Sequence, residues 1–538
     1  MPDPFPKGRV DDNEDLNPAI QLFGRRFFSD QTTLEFLVEL LLVAVSRKQI
    51  NYKEFDSFLP PYELLKNWPR RAKLEYAPKA RLNLKLFSFY GSSKLDTRHE
   101  AHRNHLRELD QIIKENMAVS GDNKENILKT LENLFLGFQG SGSQRTWCAQ
   151  SFVPVCPGFL GAETLWNETD ARRSSVDSWD EIIDRFTVFF SVNRHRFLAR
   201  GGEVLYLQLC NALRQPPEVV EEWARKAGLE DSFTHEELNP IWLHEQLDSA
   251  LRDLMRACPK TVSDLADFID SGVEDRTAGR TDKQGSEARY TECGWCPEES
   301  WQEGYLFAVE VLRLCRTKID LMERLELLEV ACSMQVLRSL ATQAARYAPA
   351  SKEYPVPFYR LVISDPDGQN ITVRQISRAS VRVIEKMIYD AIRHTQIEST
   401  IPKPDRQKLY READRRYGYK LFIALAKRIG LIIPRRGSGM RFVLNERLVR
   451  FLVMTLVPAK RLTYDTFKAL AEAHYGLIFD ELALSRTSEW ATGARIESFG
   501  GSTDEWLQET LEAAGILRRL SDSCALVENP AVSDIKGD

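Results

Sequence analysis

The sequence predicts a mainly α chain of several domains, with small β elements, on three observations. At 538 residues it is long for one core, and roughly three or four domains of 100–200 residues each are expected. Apolar residues recur at helical spacing through the N-terminal and middle regions, as in residues 32–47 and 301–347. Near the C-terminal end, a helix, a stopping glycine, an aliphatic strand, a turn and a returning strand occur twice, over residues 409–456 and 506–530.

Residues 1–16 are rich in proline and acid and read as a flexible N-terminus. A mainly helical domain follows over residues 17–150. Thr32 with Glu35 makes a capping box for a helix running to about Arg47. Within this domain a basic stretch contains Arg70, Arg71, Lys73, Lys79, Arg81 and Lys85 and ends in RLNLKLFSF, which alternates as a strand does. It is a candidate second nucleic-acid patch; a solvated strand face is the plainer reading. Helix dominates from about residue 96 to 137 and from 179 to 213.

Residues 151–350 read as a helical middle domain. Short helices are expected over 218–227, 241–257 and 261–269, a mobile loop over 271–288, and two helices within 301–347. Residues 201–300 carry 10 basic and 21 acidic residues, a face suited to a basic partner and not to DNA. Residues 351–400 read as a β-hairpin turning at Asp365-Pro366-Asp367-Gly368, then a connecting helix over 380–393.

The charge changes sign at residue 401. Residues 401–460 hold 15 Lys and Arg against 4 Asp and Glu, on a chain whose net charge is −5. Such a local excess is the electrostatic footprint of a phosphate-binding module. Leu421, Phe422, Leu425 and Ile429 share one helix face, and Gly430 stops the helix. Leu431–Ile433 is a short strand, PRRGSGM a glycine-rich turn, and residues 441–444 a returning strand. This is the recognition half of a winged helix. Lys420, Lys427 and Arg428 would face a major groove, and Arg435, Arg436 and Arg441 would meet phosphate or the minor groove.

A second unit over residues 461–538 repeats the pattern when Gly515 is aligned with Gly430. It holds 7 basic and 14 acidic residues, so it is expected to pack on protein.

Other motifs carry less chemistry. Cys293 and Cys296 form a CxxC, and a structural zinc would need two more ligands, for which Cys148 and Cys156 are the candidates; ordinary reduced thiols are the preferred reading. His99, His102 and His105 are spaced as a charged helix face and do not form HExxH. GFQGSGS lacks the lysine of a phosphate loop. Asp365 and Asp367 lack the further acid and lysine that a nuclease needs, and no cofactor is expected. The most apolar run, 34–45, is interrupted by Glu35 and Glu39, so no membrane span is expected. The polar N-terminus and nine scattered cysteines point to a reducing cytoplasm.

GLIIPRRGSGMRF, the junction LVMTLVPAKRLTYDTFKALAEAHYGLIF and AGILRRLSDSCALVENP resemble the tandem winged-helix accessory subunits of bacterial antiphage defence islands, of the methylation-associated or Druantia-like kind. The resemblance covers about the last 130 residues. It implies a non-catalytic DNA-binding subunit of a multi-protein system, with double-stranded DNA and other subunits as partners, and it transfers no catalytic residue. A protein-only scaffold is the alternative, and a nuclease assembled from distant acids a further one.

Overall fold

A computed structural model describes residues 2–6, 16–69, 72–79, 153–161, 165–166, 190–191, 200–265, 290–347, 359–458, 461–521 and 524–531, with helical positions 107, 111, 114–115 and 124–126. The chain is mainly α with small β elements. Its body comprises β1 (Pro4–Phe5), α1 (Pro18–Phe23), α2 (Thr33–Val45), β2 (Arg47–Ile50), β3 (Lys53–Phe55), α3 (Tyr62–Lys66), β4 (Leu74–Ala77), β5 (Leu165–Trp166), β6 (Phe190–Ser191), α4 (Gly201–Leu213), α5 (Pro217–Ala227), α6 (Pro240–Arg256), β7 (Thr291–Glu292), β8 (Cys296–Pro297), α7 (Trp301–Arg316) and α8 (Leu321–Tyr347). No helix among the described residues is long and apolar enough to cross a membrane.

The capping box at α2 forms as expected: Thr32 Oγ1 accepts from Glu35 N, and Glu35 Oε2 accepts from Thr32 N at 2.6 Å. At the other end of α2, Lys48 turns back from β2. Its buried Nζ donates to the carbonyls of Val43, Ala44 and Ser46 at 3.0, 2.7 and 2.6 Å. An internal cation thus satisfies carbonyls that the helix leaves open. The strand β2 lies in an antiparallel sheet of order β3-β2-β4-β7.

Helix α8 lies at the centre, against α2 and α7. Helices approach closely where glycine removes a side chain; a methyl on Gly304 of α7 would lie 2.5 Å from the Gln208 carbonyl of α4. Arg338 of α8 forks onto Glu310 of α7 through two bonds of 2.8 Å, both side chains being buried. His474, from the C-terminal part, touches the same carboxylate at 3.2 Å, and its carbonyl accepts from Arg338. This polar knot ties body to C-terminal part, and the buried apolar cluster likewise runs from Phe5 to Ala531.

The C-terminal part contains β9 (Leu361–Val362), α9 (Ile371–Ile392), α10 (Thr395–Glu398), α11 (Arg406–Glu412), α12 (Tyr419–Ile429), β10 (Ile432–Ile433), β11 (Arg441–Phe442) and α13 (Glu446–Leu456). There follow β12 (Arg461–Thr463), α14 (Tyr464–Tyr475), β13 (Leu477–Ile478), α15 (Glu481–Thr492), α16 (Glu505–Ala513), β14 (Leu517–Ser521) and β15 (Cys524–Glu528). Gly430 and Gly515 adopt φ of +83° and +68°, ending α12 and α16 in the left-handed region as expected. The last three strands lie in the order β12-β15-β14. In the preceding unit β10 pairs with β11, and Ile363 bridges to Phe442 on the other side. The parallel pair β9-β13 joins the two units.

The hairpin expected around residue 365 does not form. Only its first strand exists, and residues 371–374 are the opening turn of α9. Asn370 Oδ1 accepts from Val373 N at 3.0 Å, a cap that starts the helix before the β-branched Ile-Thr-Val run can extend. The helix expected over 380–393 therefore begins nine residues earlier, at Ile371.

Several expectations lie outside the described residues: the strand at 82–89, the histidines at 99, 102 and 105, the GFQGSGS segment and the loop at 271–288.

Candidate nucleic-acid interface

The site is assembled from a turn, a helix and the loop of the β10-β11 hairpin, labelled the wing below. Asp365 folds the turn, its two carboxylate oxygens accepting from the amides of Asp367 and Gln369 at 2.9 and 3.1 Å. Gly368 follows at φ +71°, and Asn370 then launches α9. Val373, Ile376, Ser377 and Ser380 of α9 face inward. Arg374, Arg378, Arg382 and Lys386 recur every four residues, one stripe on the other side.

Ser377 fixes the wing to this helix. Its buried hydroxyl accepts from Phe442 N at 2.9 Å, while Ser364 N and Oγ donate to the Phe442 carbonyl at 2.9 and 3.0 Å. Arg441, one residue before Phe442, is thereby held beside the start of α9, where its Nη2 donates to the Pro366 carbonyl at 2.7 Å. A methyl on Gly368 would lie 3.1 Å from Arg441 Nη2 and 3.5 Å from Arg374 Nη1, so both guanidinium groups border the same glycine. A methyl on Gly439 in the wing would lie 3.1 Å from Arg378 Nη2. Three arginines therefore gather at the wing base. The Nε atoms of Arg374, Arg378 and Arg441 are buried with no hydrogen-bond partner. Burial lowers the Arg441 pKa, and the charges of Arg374 and Arg378 lower it further, while Asp365 opposes them.

The front of the wing meets a second basic group. Lys427, Arg428 and Arg435 line an open depression with Thr32 and Thr33, at the start of α2. Arg436 is exposed in the wing, and Lys420 is exposed in the first turn of α12. Arg428 has a structural task. Its guanidinium donates to the carbonyls of Ser29 (3.1 Å) and Gln31, seating the segment before α2 on the end of α12. The expected set of Lys420, Lys427, Arg428, Arg435, Arg436 and Arg441 thus divides: Lys427, Arg428 and Arg435 share one depression, while Arg441 belongs with Arg374 and Arg378. Sequence reasoning misses these last two because Arg374 reads as the end of a hairpin and the helix is expected to start only at residue 380, past Arg378. The four-residue spacing of basic residues through 374–386 is the signal that could find them.

The second basic patch falls mostly outside the described residues. Lys73 pairs with Glu292 across the sheet, Lys79 lies exposed just past β4, and Arg70, Arg71, Arg81 and Lys85 lie outside the described residues.

The CxxC segment packs against the N-terminal region. A methyl on Gly294 would collide with the Arg25 carbonyl, and the Trp295 carbonyl accepts from Arg25 N at 2.8 Å. Cys293 and Cys296 are both buried, and burial pushes the Cys296 thiol up to about 12. Cys156 lies beside Cys258 and not beside the CxxC pair, and Cys148 lies outside the described residues. Among the described residues no three His, Cys, Asp or Glu side chains converge as a metal site.

Comparison with protein-family models, with curated proteins and with solved structures gave no significant match.

Proposed function

We propose that the protein holds double-stranded DNA through the basic unit of its C-terminal part and acts as a non-catalytic subunit of a multi-protein system. One observation carries this reading. The wing loop joins two basic groups, Lys427 with Arg435 on one side and Arg374, Arg378 and Arg441 on the other. The surrounding residues 401–460 hold 15 basic and 4 acidic residues, a field that draws a polyanion.

The element order supports a winged helix in each unit: a strand, helices, then a hairpin whose second strand is central, antiparallel throughout in β12-β15-β14 and joined by a single parallel bridge from Ile363 to β11 in the first unit. In this reading α12 is the recognition helix, and Lys420 reaches the duplex from its first turn. The acidic second unit and the acidic face near Glu218, Glu221 and Glu222 would take protein partners, in the manner of the antiphage systems that the sequence resembles.

The test is duplex binding by the full-length chain, followed by fluorescence anisotropy over a salt series. The proposal expects log K to fall linearly with log salt, because phosphate contacts release counterions. A scaffold binding only protein would show no affinity for the duplex at any salt. For the nuclease reading, metal-dependent cleavage is the discriminating observation.

A further inference from the structure

The three arginines at the wing base are more than a basic surface. We propose that Arg374, Arg378 and Arg441, bordered by the glycine turns at Gly368 and Gly439, form a pocket for a phosphomonoester, the terminal phosphate of a nucleic-acid strand. This deepens the DNA-holding reading and rests on it for the source of the phosphate.

The chemistry follows from the groups present. Guanidinium forks match the tetrahedral oxygens of phosphate and donate two bonds at a time. Arg441 gives one nitrogen to the Pro366 carbonyl and keeps the rest. Each of the three keeps a buried Nε unbonded. Three guanidinium charges outnumber the carboxylates of the turn, Asp365 and the exposed Asp367, so the group keeps a net positive charge. A backbone phosphodiester supplies one negative charge, whereas a phosphomonoester supplies about 1.5 to 2 at neutral pH. Glycine at Gly368 and Gly439 lets backbone approach the guanidinium groups, and φ of +71° and +83° there disfavours any other residue. Ser377 is the positioning residue, because it sets β11, and with it Arg441, against α9.

The experiment compares short fluorescent duplexes bearing 5′-phosphate or 5′-hydroxyl ends, at fixed salt, on the full-length protein. Arg374→Gln/Arg378→Gln and Arg435→Ala/Arg436→Ala are measured beside the wild type. The proposal expects the phosphorylated duplex to bind about tenfold tighter, the worth of one charge-assisted hydrogen bond. That ratio should collapse to one in Arg374→Gln/Arg378→Gln and persist in Arg435→Ala/Arg436→Ala, which weakens both duplexes alike. A ratio of one in the wild type overturns the pocket; if Arg435→Ala/Arg436→Ala still weakens binding, the DNA-holding reading survives it. Equal weakening of both duplexes by Arg374→Gln/Arg378→Gln identifies a backbone contact and also overturns the monoester. Binding of neither duplex overturns both readings. Melting supplies a check on folding: without phosphate, Arg378→Gln should melt no lower than the wild type, because it removes one of three like charges. Inorganic phosphate at matched ionic strength should raise the wild-type midpoint and leave that of Arg374→Gln/Arg378→Gln unchanged.

Discussion

Arg441 Nη2 donates to the Pro366 carbonyl at 2.7 Å, which ties the strand after the wing to the turn before α9. The wing is thus anchored on a helix far upstream in the sequence. Its geometry belongs to the helix–wing pair and not to residues 401–460 alone. Ser377 makes the companion contact, taking Phe442 N at 2.9 Å.

Ser377→Ala should destabilise the protein by about 1–3 kcal/mol, the cost of removing a buried hydrogen-bond partner. Urea unfolding of the full chain measures it. An unchanged midpoint would show that the wing is held by other contacts.

Gly430 and Gly515 both sit at positive φ, yet their surroundings differ. A methyl on Gly430 would lie 2.1 Å from Asn445 Nδ2, whereas nothing lies within 4 Å at Gly515. Gly515→Ala should cost only the backbone strain, about 1 kcal/mol. Gly430→Ala should cost more, because the Asn445 side chain also donates to the Ile429 carbonyl and would have to leave it. Equal losses in the two variants would contradict the packing described at Gly430.

Lys48 makes stability depend on alkaline pH. Burial lowers its pKa from 10.5 to about 8, although it donates to three carbonyls. Between these values the unfolded chain binds more protons, so the cost of burying the charge is full below pH 8 and is relieved as pH rises to 10.5. Wild type should therefore gain stability relative to Lys48→Met across that window. Paired urea titrations read the difference, and a constant gap between the two proteins would refute it.

The Glu310–Arg338 pair predicts the opposite limb. Burial pushes the Glu310 carboxyl up, but Arg338 and His474 outweigh it and hold it at about 2. Its contribution is present above pH 4.5 and is lost as pH falls from 4.5 to about 2. Arg338→Ala leaves a buried carboxylate unpaired and should cost about 3–5 kcal/mol at neutral pH. A destabilisation of less than about 1 kcal/mol by chemical denaturation would mean that water reaches Glu310, against its burial here.

The sequence announces local features more readily than assembled ones. Thr32 with Glu35 signals the start of α2, and Gly430 the end of α12, because caps depend on neighbouring residues alone. The Asp-Pro-Asp-Gly turn is also visible, but the helix after it is not. Ile371, Thr372 and Val373 favour a strand by type, and only the Asn370 cap and the burial of Ile376 and Ser377 make them helical. Reading that run as a strand hides Arg374, and starting the helix at residue 380 leaves out Arg378. Arg428 illustrates another limit: its exposed, basic place at the end of a helix suggests phosphate, while its hydrogen bonds go to Ser29 and Gln31. The Glu310–Arg338–His474 knot joins residues up to 164 apart and has no local signature.

The most direct test of DNA holding by the wing is the salt dependence of duplex binding by full-length wild type and Arg435→Ala/Arg436→Ala. The variant should bind more weakly, with a log K against log salt slope shallower by about 0.9 for each phosphate that it no longer neutralises. An identical affinity and slope in the two proteins would contradict it.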